Sequence, residues 1–69
     1  MKFSERLREL RTEKGISQGE FARLLDVKQG TVSGWEIGRR EPSLEMVRKI
    51  AIVLKCDSNY LLGITDLFQ

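Results

Sequence analysis

The eighteen residues from Gln18 to Trp35, Q-G-E-F-A-R-L-L-D-V-K-Q-G-T-V-S-G-W, constrain this chain more than any other stretch. A small residue, Ala22, stands four positions after Gln18, and Asp26 follows four later. Val32 and Trp35 come next, three apart. Two short helices that cross at a steep angle need a small side chain where they touch, a residue tolerant of positive φ between them, and apolar anchors beneath the second. The segment supplies all three. It predicts two short helices joined by a tight turn, with Val32 and Trp35 pinning the second to the body.

Size and chemistry narrow the choices further. A chain of 69 residues is one domain, near the lower limit for folding without staples. With 41% apolar and 32% charged residues it has material for a core and a solvated surface. The lone cysteine, Cys56, forms no internal disulfide and fits a small core position. With no histidine and one cysteine, thiolate–imidazole zinc sites and His-based catalysis are excluded. No set of residues supplies a nucleophile, a base and a stabilising group together, so neither an enzyme nor a cofactor is expected. No apolar run approaches the ~20 residues of a membrane span, and the start M-K-F-S-E-R-L is too charged for a signal peptide. The cytoplasm is the expected location.

A net charge of +2 says little, but its distribution says more. Glu5, Glu9 and Glu13 recur every four residues and form an acidic stripe on one face of a first helix. Lys28, Arg39 and Arg40 bracket the segment that carries Val32 and Trp35, with only Glu36 between them. One face turned to phosphate and another turned away is the arrangement this asymmetry suits.

Five helices and no strand are expected. The first runs from about Phe3 to Lys14, with Phe3, Leu7 and Leu10 on one stripe and Gly15 ending it in left-handed geometry. Ser17 and Glu20 match the S-x-x-E capping box at the start of a second helix, about Gln18 to Leu25. Ile16 and Phe21 match its hydrophobic staple. The third, about Gln29 to Ile37, is intrinsically poor: Gly30 and Gly34 each cost about 1 kcal/mol relative to alanine, and Lys28 is a weak N-cap. Burying Val32 and Trp35 returns roughly 1.5–3 kcal/mol each, so docking decides whether this helix forms. Gly38 ends it and G-R-R-E-P makes a basic loop. Pro42 and Ser43 open a fourth helix to about Leu54, with Leu44, Val47, Ile50, Ala51 and Leu54 on an apolar face.

Asp57 caps a last short helix, about Ser58 to Leu62, stopped by Gly63. The domain therefore covers 1–63, and 64–69 is a tail. Some of Leu61, Leu62, Ile64, Leu67 and Phe68 are expected to pack under the fifth helix, and two roles are open to the apolar residues of the tail: closing a two-fold interface, or a truncated end that led into a second domain.

With these elements placed, helices two and three have helix-turn-helix spacing, an arrangement that enters DNA grooves. The chain resembles the lambda-repressor-like Cro/C1-type (XRE-type) family of regulators. The residues that carry the resemblance are L-R-x-L-R at 7–11, I-S-Q at 16–18, F-A-R-L-L-D-V, T-V-S-x-W-E at 31–36, G-R-R-E-P-S at 38–43 and Y-L-L-G at 60–63. The resemblance implies a compact all-α five-helix domain whose third helix enters the major groove, N-terminal residues toward the bases.

It also implies roles. Gln18 matches a glutamine that clamps a phosphate. Gln29 matches a base-reading position, where a glutamine pairs bidentately with adenine N6 and N7. Lys28 and Ser33 match positions that reach base edges or phosphate, Thr31 touches phosphate, and Arg39 and Arg40 make further backbone contacts. Arg11 and Glu36 match a pair that orients the reading helix, which Ala22, Val32 and Trp35 also support. Three departures stand out: Asp26 replaces the usual turn glycine, Lys28 the common serine cap, and Gly30 and Gly34 replace base-reading side chains. Either the backbone then approaches the groove closely, or specificity leans on DNA shape. The implied function is a sequence-specific transcriptional regulator, a repressor, that binds a double-stranded operator as a homodimer. The rival reading is a protein-interaction module, an antitoxin or adaptor that grips a protein partner with the same fold.

Overall fold

Each helix starts and stops where local chemistry dictates. The computed structural model describes residues 3–56 and Leu61. They form α1 (Phe3–Glu13), α2 (Gln18–Leu25), α3 (Gln29–Glu36) and α4 (Leu44–Leu54), with no strand among the described residues. The expected fifth helix and the tail lie outside the described residues, save Leu61, which is helical and fully buried.

Two serines begin helices as their positions predict. Ser17 Oγ accepts from the Glu20 N–H at 3.1 Å, and Ser43 Oγ accepts from the Met46 N–H at 3.1 Å. Each satisfies a first-turn donor that has no intrahelical partner. Lys28 caps α3 with extended backbone and no side-chain hydrogen bond, so α3 starts without that support.

All four described helices end alike. A residue with left-handed backbone follows the last turn: Gly15 at φ 71°, Asp26 at 59°, Gly38 at 80° and Lys55 at 54°. The next residue's N–H then reaches back to the final turn, as Val27 does to Ala22 O at 2.9 Å and Cys56 to Ala51 O at 3.0 Å. These double closures satisfy carbonyls the helix leaves open. Glycine adopts this geometry freely, aspartate tolerates it, and lysine pays the Cβ clash in full. Lys55→Gly is therefore expected to stabilise the domain by about 1 kcal/mol and Asp26→Gly by less. Urea denaturation of both variants checks the order.

The core gathers Leu7 from α1, Phe21, Ala22 and Leu25 from α2, Val32 and Trp35 from α3, and Val47, Ile50, Ala51 and Leu54 from α4. Phe3, Leu10 and Ile16 pack against its edge, as does Cys56. α3 packs on α2 and α1, and α2 also packs on α4. One expectation fails here. Leu44, expected on the inner face of α4, is 68% exposed. It is the first residue of that helix; Met46 packs against the edge of the core, and the buried residues of α4 begin at Val47. The third helix also ends one residue early, with Ile37 as its cap and exposed. Arg6, which nothing in the sequence pattern singles out, is buried.

Candidate nucleic-acid interface

Val32, Trp35 and Glu36 occupy one face of α3 at i, i+3 and i+4, and all three are buried. The two apolar residues meet the core, while Glu36 meets Arg11. Arg11 Nε donates to Glu36 Oε2 at 2.6 Å and Nη2 to Oε1 at 3.0 Å, a two-pronged pairing. Arg11 Nη1 also donates to the Ile16 carbonyl at 2.6 Å, so one guanidinium ties α1, the loop before α2, and α3. The hydrogen bond to Glu36 raises the Arg11 pKa above its ordinary value, against the opposing effect of burial. Gln18 joins the same group, its Nε2 donating to Glu36 Oε1 at 3.1 Å. One amide hydrogen of Gln18 is therefore engaged within the protein. The second remains to donate outward, beside the N–H groups that the first turn of α2 leaves without acceptors.

The sequence-predicted readers divide between the exposed start of α3, with Lys28 and Gln29, and the side away from the core, with Gly30, Ser33 and Gly34. Two residues along a helix is a rotation of about 200°, so Gly30 and Gly34 lie across from Val32 and Glu36. Lys28, Gln29 and Gly30 are exposed, and Thr31 and Ser33 are half-buried. The side chain of Gln29 lies against the start of α2: its Oε1 is 3.6 Å from where a Cβ on Gly19 would stand. The first turns of α2 and α3 thus adjoin, with Gln18 and Gln29 on neighbouring ground. Arg39 and Arg40 are exposed in the loop after α3. Around Gly30 a Cβ would meet nothing within 4 Å, whereas one on Gly34 would meet Arg40 Cδ at 3.3 Å and Cγ at 3.4 Å. Gly34 is accordingly buried, under the stem of a loop arginine.

The profile of the helix-turn-helix family matches residues 7–61, taking in all of α2, α3 and α4. The chain belongs to this family. Within it the chain is similar to the SPbeta prophage-derived uncharacterized HTH-type transcriptional regulator YonR of Bacillus subtilis (strain 168), at 37% identity over 60 residues, covering 87% of this chain and 56% of YonR. Its fold is similar to that of the P22 c2 repressor in complex with synthetic operator 9T, with a TM-score of 0.85 and 29% identity over 90% of this chain and 94% of that one. It is likewise similar to the restriction-modification controller protein C.AhdI from Aeromonas hydrophila, with a TM-score of 0.80 and 42% identity over 86% of this chain and 89% of that one. The chain spans about half or less of the length of the curated relatives it matches.

As a helix-turn-helix domain of the Cro/C1 type, the chain uses α2 and α3 as the motif, with Asp26 in the turn. The structure brings Gln18, Lys28, Gln29, Gly30 and Ser33 onto α2 and α3 starts or the outward side of α3, and it brings the loop with Arg39 and Arg40 back to Gly34. Sequence reasoning missed two links: the bond from Gln18 to Glu36 and the packing of Arg40 on Gly34. Among the described residues no helix is long and apolar enough to cross a membrane.

Proposed function

We propose that this domain is a sequence-specific DNA-binding regulator that represses transcription by occupying an operator. The observation that carries the reading is the two-sided α3: one side is held by Val32, Trp35 and the Arg11–Glu36 pair, while the exposed start of the helix presents Lys28 and Gln29 and the opposite side presents Gly30 and Ser33. Its likeness to the P22 c2 repressor, a structure that contains an operator, supports the same orientation. In this proposal α3 enters the major groove with Gln29 reading an adenine edge, and Lys28 and Ser33 reach base edges beside it. Gly30 lets the backbone approach the groove floor. Gln18, Thr31 and Arg39 hold phosphates, Gln18 through its second amide hydrogen and the start of α2.

A homodimer completes the proposal. Two copies place their reading helices in successive major grooves, about 34–36 Å apart, on a partly palindromic site. The relatives named above are regulators and a repressor, which favours DNA over a protein partner as the primary ligand.

Fluorescence anisotropy on duplex DNA at several salt concentrations tests the proposal. Affinity should fall as salt rises, along a straight line in log–log form. No binding at low salt, or a flat line, sinks it. Gln29→Ala should relax discrimination at one base pair by about 1–3 kcal/mol. Arg39→Ala should weaken all sequences alike and lower the salt slope by about 1. Identical behaviour of the two variants would contradict the assigned contacts.

A further inference from the structure

Gly34 lies on the outward side of α3 yet is buried, and what covers it is the side chain of Arg40. The loop is folded to do this. After Gly38 turns at φ 80°, the N–H groups of Arg39 and Arg40 both donate to the Gly34 carbonyl, at 2.9 and 3.2 Å. The Arg40 stem then runs across the gap where position 34 has no side chain, with Cβ, Cγ and Cδ all within 3.7 Å of the missing Cβ position. The guanidinium begins one bond beyond Cδ, while Arg40 itself stays exposed. A loop position alone gives Arg40 a phosphate; this packing gives it another address.

We propose that Arg40 is a base-reading residue of this domain, laid onto the outward face of α3 by the absence of a side chain at Gly34. The inference rests on the DNA-binding reading above. A planar guanidinium on a groove-entering face matches the O6 and N7 acceptors of guanine, so the target is a G·C pair. Gly34 acts as a positioning residue: it contributes no side chain to the DNA and holds the reader in place. The missing reader of α3 is replaced by a residue six positions later in the chain.

The test is selection from random duplex DNA with the parent chain, followed by titrations of the selected site with Arg40→Lys, Arg40→Ala and Gly34→Leu. The parent should select a guanine at one position of each half-site. Arg40→Lys keeps the charge and loses the fork, so it should lose that preference by about 5- to 150-fold with the salt slope unchanged. Gly34→Leu displaces the Arg40 stem with a good helix former. It should lose the same preference while melting no lower than the parent, and adding Arg40→Ala to it should cost no further discrimination. A parent that selects no sequence overturns the DNA-binding reading and this one with it. A parent that selects a site, with the preference intact in Arg40→Lys, leaves DNA binding standing and makes Arg40 a phosphate contact. Intact preference in folded Gly34→Leu removes the positioning role.

Discussion

Trp35→Ala is expected to remove a third or more of the stability of the domain and to lower its melting temperature steeply. Trp35 is 4% exposed, one of two apolar side chains that hold α3 to the core. Truncating a buried tryptophan costs about 3–5 kcal/mol. A chain of this length has roughly 3–10 kcal/mol of stability in total. Little elsewhere in α3 makes up the difference, because the helix has two glycines and no side-chain cap. Thermal melting by circular dichroism checks the outcome, with Trp35→Phe as a control that keeps an aromatic anchor and a cooperative transition. A Trp35→Ala variant that melts cooperatively within a few degrees of the parent would mean that α3 is held by other contacts.

Arg11→Ala should cost about as much, for an electrostatic reason. Glu36 has a side chain only 2% exposed and takes both prongs of Arg11. Removing the arginine strands a buried carboxylate, at about 3–5 kcal/mol for a pair of this kind. Replacing both members by apolar residues, Arg11→Met with Glu36→Leu, should recover most of that loss. The double variant separates folding from recognition, since Gln18 then has no Glu36 to bond. It should melt near the parent and bind DNA more weakly. Chemical denaturation and anisotropy together decide the point: a double variant as unstable as Arg11→Ala, or one that binds as the parent does, would contradict it.

Much of this architecture is legible in the sequence because its signals are local. Ser17, Glu20 and Asp26 mark both ends of α2 within a few residues of the atoms they contact. Val32 and Trp35 declare the inner side of α3 by their spacing, and the Arg11–Glu36 pairing came from the resemblance to a family. The misses are of another kind. Nothing about Lys55 marks it for left-handed backbone; it takes that role because α4 stops there. Leu44 shares the period of Val47, Ala51 and Leu54, but periodicity does not say how far along its length a helix is covered. The bond from Gln18 to Glu36 and the cover of Arg40 over Gly34 depend on how helices cross and a loop reverses. Spacing carries no record of either. The expected fifth helix, apart from Leu61, and the apolar tail fall outside the described residues.

The partition of α3 into an anchored side and an outward side makes the domain retargetable. Positions 29, 30 and 33 carry no duty in holding the scaffold together, so they can be randomised at little cost to folding. A library built there would yield proteins that share one body and differ in the DNA they prefer. Position 34 is the exception, because any side chain placed there competes with Arg40 for the same space and changes two specificity elements in a single step.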